Sequence, residues 1–215
     1  MWRVELHAHT CYSPDSLLGL EEFLEACRRR GLDRVAVTDH NTIEGALRLK
    51  EKAPEWIIIG EEIQTQEGEV LAYFIEREIP KGLPLLETIE RIWEQGGVVA
   101  LPHPCDRARG SAMGWRTAEA ILPLVDAVEV FNARCLFPGD NARAAALAAR
   151  FGKPGFSGSD AHIAWELGRA WTALPPFEDA EGFRRALLHA RPTPRLSPPW
   201  VHLLSAWAKW RRSRL

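Results

Sequence analysis

The chain has 215 residues, 46% of them hydrophobic, with 27 Lys or Arg against 29 Asp or Glu and a formal net charge of −2. That is an ordinary globular composition, long enough for one large core or two small ones, and no apolar run approaches the ~18 residues a membrane span requires. Arg3 and Glu5 interrupt the first apolar stretch, unlike a signal peptide, and four cysteines without a CxxC pair or a dense framework point to free thiols in a reducing cytoplasm.

The first strand ends in Glu5-Leu6-His7-Ala8-His9 and breaks into a polar loop that reaches Asp15. Side chains at i and i+2 share a strand face, so His7 and His9 present two imidazoles to one point, and Asp15 can fold back to add a carboxylate. Imidazole plus carboxylate suits Zn, Mn or Fe; two half-buried histidines bonded to backbone are the plainer alternative. Leu20 to Arg30 carries a helical stripe closed by Gly31. Val35 to Val37 is a short strand ending in Thr38-Asp39-His40-Asn41-Thr42, and Ile43 to Lys50 a helix with Thr42 or Asn41 as N-cap. Trp56 to Ile59 is a third strand, ending in Gly60-Glu61-Glu62; Ile63 to Gln66 and Val70 to Ile75 form a hairpin about Glu67-Gly68.

Leu85 to Gln95 is helical, and Val98 to Leu101 is a fifth strand leading to Pro102-His103-Pro104. Arg107 to Gly114 reads as a loop, with Thr117 capping a helix to Leu124. Ala127 to Phe131 is a sixth strand ending in Asn132-Ala133-Arg134; Asp140 caps the Ala-rich helix Asn141 to Arg150; Gly155 to Ser157 leads to Gly158-Ser159-Asp160-Ala161-His162. Arg169 to Leu174 is a further strand, Ala180 to Ala190 a helix, and the Pro-rich stretch Arg191 to Pro199 a linker to a tail helix at about 200–213. The tail changes the charge balance. Residues 1–181 hold 19 basic and all 29 acidic residues, a net of −10, and the remaining 34 hold eight basic residues and no acid. A docked amphipathic helix with a solvated basic face accounts for this, and contact with nucleic acid is the alternative.

No internal repeat or domain boundary is visible, so one domain is expected over 1–215. Strand, polar end and helix recur about seven times, which predicts parallel strands with helical crossovers, buried on both faces as in a barrel. Barrel enzymes carry their chemistry at the C-terminal strand ends. His7, His9, His40, Glu62, His103, Asp160 and His162 all fall there, whereas His189 and His202 fall on predicted helices.

In this order, His-x-His with Asp15, Thr38-Asp39-His40-Asn41-Thr42, Gly60-x-Glu62-Ile63, His103-Pro104 and Gly158-Ser159-Asp160-Ala161-His162 resemble the PHP (polymerase and histidinol phosphatase) family, from about Val4 to Arg169. Gly31 to His40 and Val128 to Asn132 also resemble its small stand-alone phosphoesterases. The resemblance implies an α/β fold, a distorted (β/α)7 TIM-like barrel, with two or three divalent metals in its mouth. It implies one metal on His7, His9, Glu62 and Asp160, another on Asp15, His40 and His162, and Glu62 bridging towards a further one at His103. Many members supply a histidine from the strand after Gly-x-Glu; here Gly68-Glu69-Val70-Leu71-Ala72 has none, which favours two ions. The match to Gly-x-Glu-Ile selects Glu62 over Glu61. Asp39 is expected to orient a ligand imidazole or accept at the helix start, and Asn132 to meet substrate, a bound water or the strand end.

The reaction expected is hydrolysis of a phosphate mono- or diester by a metal-bridging hydroxide, with no side-chain nucleophile, since no G-x-S-x-G elbow or P-loop is present. Arg107, Arg109 and Arg134 are candidate clamps for the remaining phosphate oxygens, Arg107 and Arg134 foremost. The substrate expected is a phosphorylated metabolite, a nucleotide or an oligonucleotide end. An amide or lactone hydrolase and a non-catalytic metal-binding module are the alternatives.

Overall fold

In the computed structural model, which describes residues 1–214, strands and helices alternate: β1 (Trp2–Glu5), α1 (Leu20–Arg30), β2 (Arg34–Val37), α2 (Glu44–Lys52), β3 (Ile57–Gln64), β4 (Glu69–Tyr73), α3 (Leu85–Trp93), β5 (Val98–Leu101), α4 (Trp115–Ile121), β6 (Ala127–Asn132), α5 (Pro138–Arg150), β7 (Gly155–Gly158), β8 (Trp171–Leu174), α6 (Ala180–Leu187), β9 (Arg191–Thr193) and α7 (Val201–Arg212). The strands form one sheet in the order β7-β6-β5-β4-β3-β2-β1-β8-β9. β1, β2 and β3 are parallel, as are β5, β6 and β7, while β4 runs against both its neighbours. The sheet curls until its ends nearly meet. At the mouth Asp160 N–H donates to the His7 carbonyl and His9 N–H to that of Ala161, both at 2.8 Å. Lower down β8, antiparallel to β1, wedges into the gap, and Ser157 Oγ donates to the Trp171 carbonyl at 2.6 Å. The result is a distorted TIM-like barrel.

The apolar strands are buried on both faces, as a barrel wall requires. Inside, Val4, Leu6, Ala36, Ile58, Leu71, Tyr73, Val98 and Phe156 pack on Phe177, Phe183 and Leu187, so α6 and the segment before it stopper the base. Outside, Ile63, Val99 and Leu101 meet Ile89 and Ile92 of α3, and Val35 and Val37 meet Phe23, Leu24 and Cys27 of α1. The filled base leaves chemistry only at the other end. Gly31 ends α1 as expected: at φ 63° it takes the left-handed conformation that frees its N–H for the Arg28 carbonyl.

Several boundaries differ from the sequence expectation, each for a local reason. β3 runs unbroken through Glu61 and Glu62 because its upper half pairs with β4, so Glu62 sits within a strand rather than after one. Asn41 does not cap α2: its Oδ1 accepts from Gln64 N–H, and the Thr42 hydroxyl accepts from Glu44 N–H. α4 starts at Trp115 after Gly114, not at Thr117. α5 starts at Pro138, a residue suited to a first helical position, with Asp140 inside the helix and bonded to Arg107 instead of capping it. The Pro-rich stretch hides β9, an edge strand where Pro192 is tolerated because the missing N–H faces away from the ladder.

Candidate metal centre

Four buried side chains converge above the apolar stopper. His7 and His9 extend beyond β1, Glu62 projects from β3, and Asp160 follows β7. Glu62 Oε2 is 3.4 Å from both His7 Nε2 and His9 Nε2, and Asp160 Oδ1 is 3.7 and 3.2 Å from the same nitrogens. Two ligand atoms each ~2.1 Å from a shared ion stand about 3–3.5 Å apart, so these spacings suit a common ion. None of these four atoms has a hydrogen-bond partner although all are buried, an arrangement that is costly unless something positive fills the centre.

A second cradle lies beside the first. Asp15 turns back from the loop so that its carboxylate oxygens stand 3.5 Å from His40 Nε2 and 3.4 Å from His162 Nε2. His9, His40 and His162 also approach closely enough to hold an ion together, so His9 stands between the cradles rather than belonging to the first alone. His40 Nδ1 lies 3.1 Å from Glu62 Oε2, and His103 Nε2 2.9 Å from Glu62 Oε1. Glu62 thus faces four imidazole groups, those of His7, His9, His40 and His103, while Glu61 turns away to accept from Ile79 N–H. All eight proposed ligand residues are therefore brought together. The four cysteines are free and join none of the clusters among the described residues.

Outer hydrogen bonds aim the imidazoles. Glu129 Oε1 accepts from His7 Nδ1 at 3.0 Å, Ser13 Oγ pairs with His9 Nδ1 at 3.1 Å, and the Asp160 carbonyl accepts from His162 Nδ1 at 2.8 Å. Each leaves Nε2 with a lone pair facing the cluster, the arrangement metal-binding histidines share. Asp39 accepts from Ser13 Oγ at 2.6 Å and from both the amide and hydroxyl of Thr10, so it steadies His9 through Ser13. Asn132 Nδ2 donates to Glu129 and Asp160, bracing the cluster, while its Oδ1 accepts from Arg134 N–H at 2.9 Å and caps the end of β6. Gly158 is required here: a Cβ would stand 2.6 Å from the His7 Cβ and 2.5 Å from Glu129 Oε1. His103 and Asp160 hold positive φ, 25° and 52°, local strain of the kind that collects at functional sites.

Charge in the cluster is strongly coupled. Burial would raise the pKa of Glu62, but His7, His40 and His103 hold it well below the ordinary carboxylate value. Burial would lower that of His7, yet Glu129, Glu62 and Asp160 hold it well above. His9, buried and beside His162 and His40, is pushed down to about 3, and His40, against the pull of burial, rises to about 9 beside Glu62 and Asp15. Carboxylates held ionised and an imidazole held neutral in one buried space are what a cation would find ready.

The three candidate arginines are placed differently. Arg107 is tied to Asp140 on α5 at 2.8 Å with its side chain largely exposed, away from the cluster. Arg134 is buried; its Nε faces Glu166 at 3.2 Å and its Nη2 donates to the Val201 carbonyl and Ser205 Oγ of α7. Arg109 is the one that reaches the cluster, bonding Asp160 Oδ2 at 2.5 Å. Position in a loop does not reveal reach, so the sequence does not single it out. A cleft of about 190 Å³ opens over the cradles, lined by Asp15, His162, Arg109, Arg134, His202 and Ser205. His202 thus lines the opening, its Nε2 bonded to the Arg134 carbonyl.

Comparison with known proteins bears on this geometry. The PHP domain family matches residues 5–119, and the PHP-associated family matches residues 138–192. The chain belongs to the PHP family. An uncharacterized protein of Methanocaldococcus jannaschii is 41% identical over 144 residues, 61% of this chain and 82% of the relative. Among solved structures, a two-domain protein of Bacteroides vulgatus, named as containing a predicted PHP-like metal-dependent phosphoesterase, superposes with a TM-score of 0.75 at 18% identity, over 90% of this chain and 65% of that one. An amidohydrolase from Chromobacterium violaceum superposes at 0.64 with 17% identity, over 87% and 97%. The solved structures, at 17–18% identity, support the barrel fold.

Two features of this PHP chain were not legible beforehand. Where the fourth strand lacks a histidine, the buried Glu69 stands with His40 and Glu62 as a third carboxylate-bearing corner. α7 lies outside both matched segments and rests on the rim, where Arg212 donates to the Ser13 carbonyl at 2.8 Å and to that of Cys11. Among the described residues no helix is long and apolar enough to cross a membrane.

Proposed function

We propose that the chain is a phosphoesterase that holds two divalent ions, one on His7, His9, Glu62 and Asp160 and one on Asp15, His40 and His162, with His9 and Glu62 between them. The observation that carries this reading is the set of four buried, unpartnered ligand atoms, with each carboxylate oxygen 3.2–3.7 Å from both imidazole nitrogens, beside a second cradle. Zn, Mn or Fe bound there would supply Lewis acidity and an acidified water to attack phosphorus.

The residues of the chain supply the rest. Glu129, Ser13 and the Asp160 carbonyl keep the imidazoles oriented. Arg109, held between Asp160 and the cleft, offers a guanidinium to a phosphate oxygen, and burial is outweighed by Asp160, Glu62 and Glu69 so that it stays charged. A phosphorylated metabolite, nucleotide or oligonucleotide end fits this site better than a neutral amide or lactone, because a neutral carbonyl gives the arginine no anion to meet. Chelation is expected to abolish turnover of an aryl phosphate, and added Mn or Zn to restore it. Metal-dependent turnover of lactones but of no phosphoester would replace this reading with carbonyl hydrolysis.

A further inference from the structure

Next to the cradles, between α4, α5 and the loop after β5, lies a second cavity of about 850 Å³, lined by Arg107, Arg109, Trp115, Arg143, Leu147 and Arg150 among others. Arg143, Leu147 and Arg150 fall at i, i+4 and i+7 of α5 and so share one helix face. Trp115 opens α4 with its indole 56% exposed, an unburied aromatic wall on an otherwise ordinary helix start. Arg109 and Asp106 line both this cavity and the cleft over the cradles, so the two spaces meet at the arginine that touches Asp160.

The charges around the cavity are unbalanced. Arg107 and Arg143 share a single buried carboxylate, Asp140, at 2.8 and 3.5 Å, and Arg150 has Glu119 at 3.0 Å. Three guanidinium groups thus face two carboxylates, and all three arginine side chains are more than half exposed, leaving donors free for a ligand. The volume lies within the range of small-molecule sites, and planar guanidinium forks suit phosphate and carboxylate, while an indole face suits a flat ring.

We propose that this cavity is a substrate subsite that takes a planar ring against Trp115 and a second anionic group on Arg143 and Arg150, while the scissile phosphate sits at the cradles. The inference rests on the phosphoester reading for the reacting end. It assigns the substrate class as phosphoesters that carry a second anion beyond an aromatic or heterocyclic unit.

Non-hydrolysable ligands separate this claim from the catalytic one. An aryl monophosphonate and a series of aryl bisphosphonates with increasing spacers are titrated calorimetrically into the metal-loaded full chain. At least one bisphosphonate is expected to bind tenfold or more tightly than the monophosphonate. Arg143→Ala with Arg150→Ala is expected to erase that advantage, and Lys at both positions to keep part of it. Equal affinity across the whole series, or an advantage that survives the double alanine variant, overturns the subsite. If the advantage is present but no phosphoester is turned over, the subsite stands and the hydrolytic reading falls; turnover with equal affinities gives the reverse.

Discussion

At the scale of single residues, the cluster is organised by carboxylates that never need to touch the ions. Glu129 fixes His7 and, through its other oxygen, the His103 amide, so one side chain sets a histidine of the first cradle and the histidine that bonds Glu62 beside it. Glu129→Gln keeps the size but weakens the acceptor, and it is expected to lower metal affinity by about 10- to 100-fold, read by competition with a chelating dye. A change below twofold would reduce Glu129 to a packing role. Arg109→Ala is expected to raise KM for phosphoesters by roughly tenfold or more, with Lys restoring only part because it loses the fork. The ligands themselves were legible in the sequence: alternation on one strand paired His7 with His9, and polar residues recurred after each apolar run. Glu129 was not, although Val128-Glu129-Val130 places a charge in an apolar strand. Nothing local says that its partner is His7, 122 positions away.

At the scale of elements, α7 acts on the site from outside the barrel. Arg212 grips the Cys11 and Ser13 carbonyls of the loop that carries Asp15, and Arg134 connects Val201 and Ser205 to Glu166. Glu166 in turn accepts from the His162 amide. Both Asp15 and His162 belong to the second cradle, so ending the chain after Pro199 is expected to lower metal content from two ions towards one per chain at limiting metal, measured by elemental analysis. Arg212→Ala should show the same direction with a smaller effect. Two tightly held ions in the truncated chain would show that α7 is only a cover. The helix was readable from its Trp and Leu spacing and its basic end, yet the direction of its basic residues was not. All four are exposed, but it is Arg212 that turns its guanidinium onto the Cys11 and Ser13 carbonyls, while Lys209, Arg211 and Arg214 make no such bond among the described residues. Docking of this kind depends on backbone carbonyls of a distant loop, which leave no mark in sequence patterning.

At the scale of the whole molecule, the apolar base and the polar mouth divide stability from function. Phe183 fills the base, and Phe183→Ala is expected to cost about 3–5 kcal/mol, seen in denaturant unfolding, while the surviving folded protein keeps its metal stoichiometry. Metal loading should work through the other end. At a thousandfold excess over Kd, binding contributes about 4 kcal/mol, a rise in Tm on the order of ten degrees for a chain of this length; no shift on chelation would show that the cradles are empty in the folded state. The fold itself was largely legible because repeated strand–helix alternation leaves few topologies. Closure was less so. β8 and β9 seal the seam through antiparallel pairing and through Ser157, contacts between segments whose sequences look like an ordinary strand and a Pro-rich linker.

His7, His9, Glu62 and Asp160 are expected to enclose one ion and Asp15, His40 and His162 another. Anomalous diffraction from crystals grown with Mn or Zn tests it most directly. Two peaks are expected, one within ~2.3 Å of the first set's ligand atoms and one equally close to the second's. Crystals that hold the metal elsewhere, with neither cradle filled, would show that these residues are not its ligands.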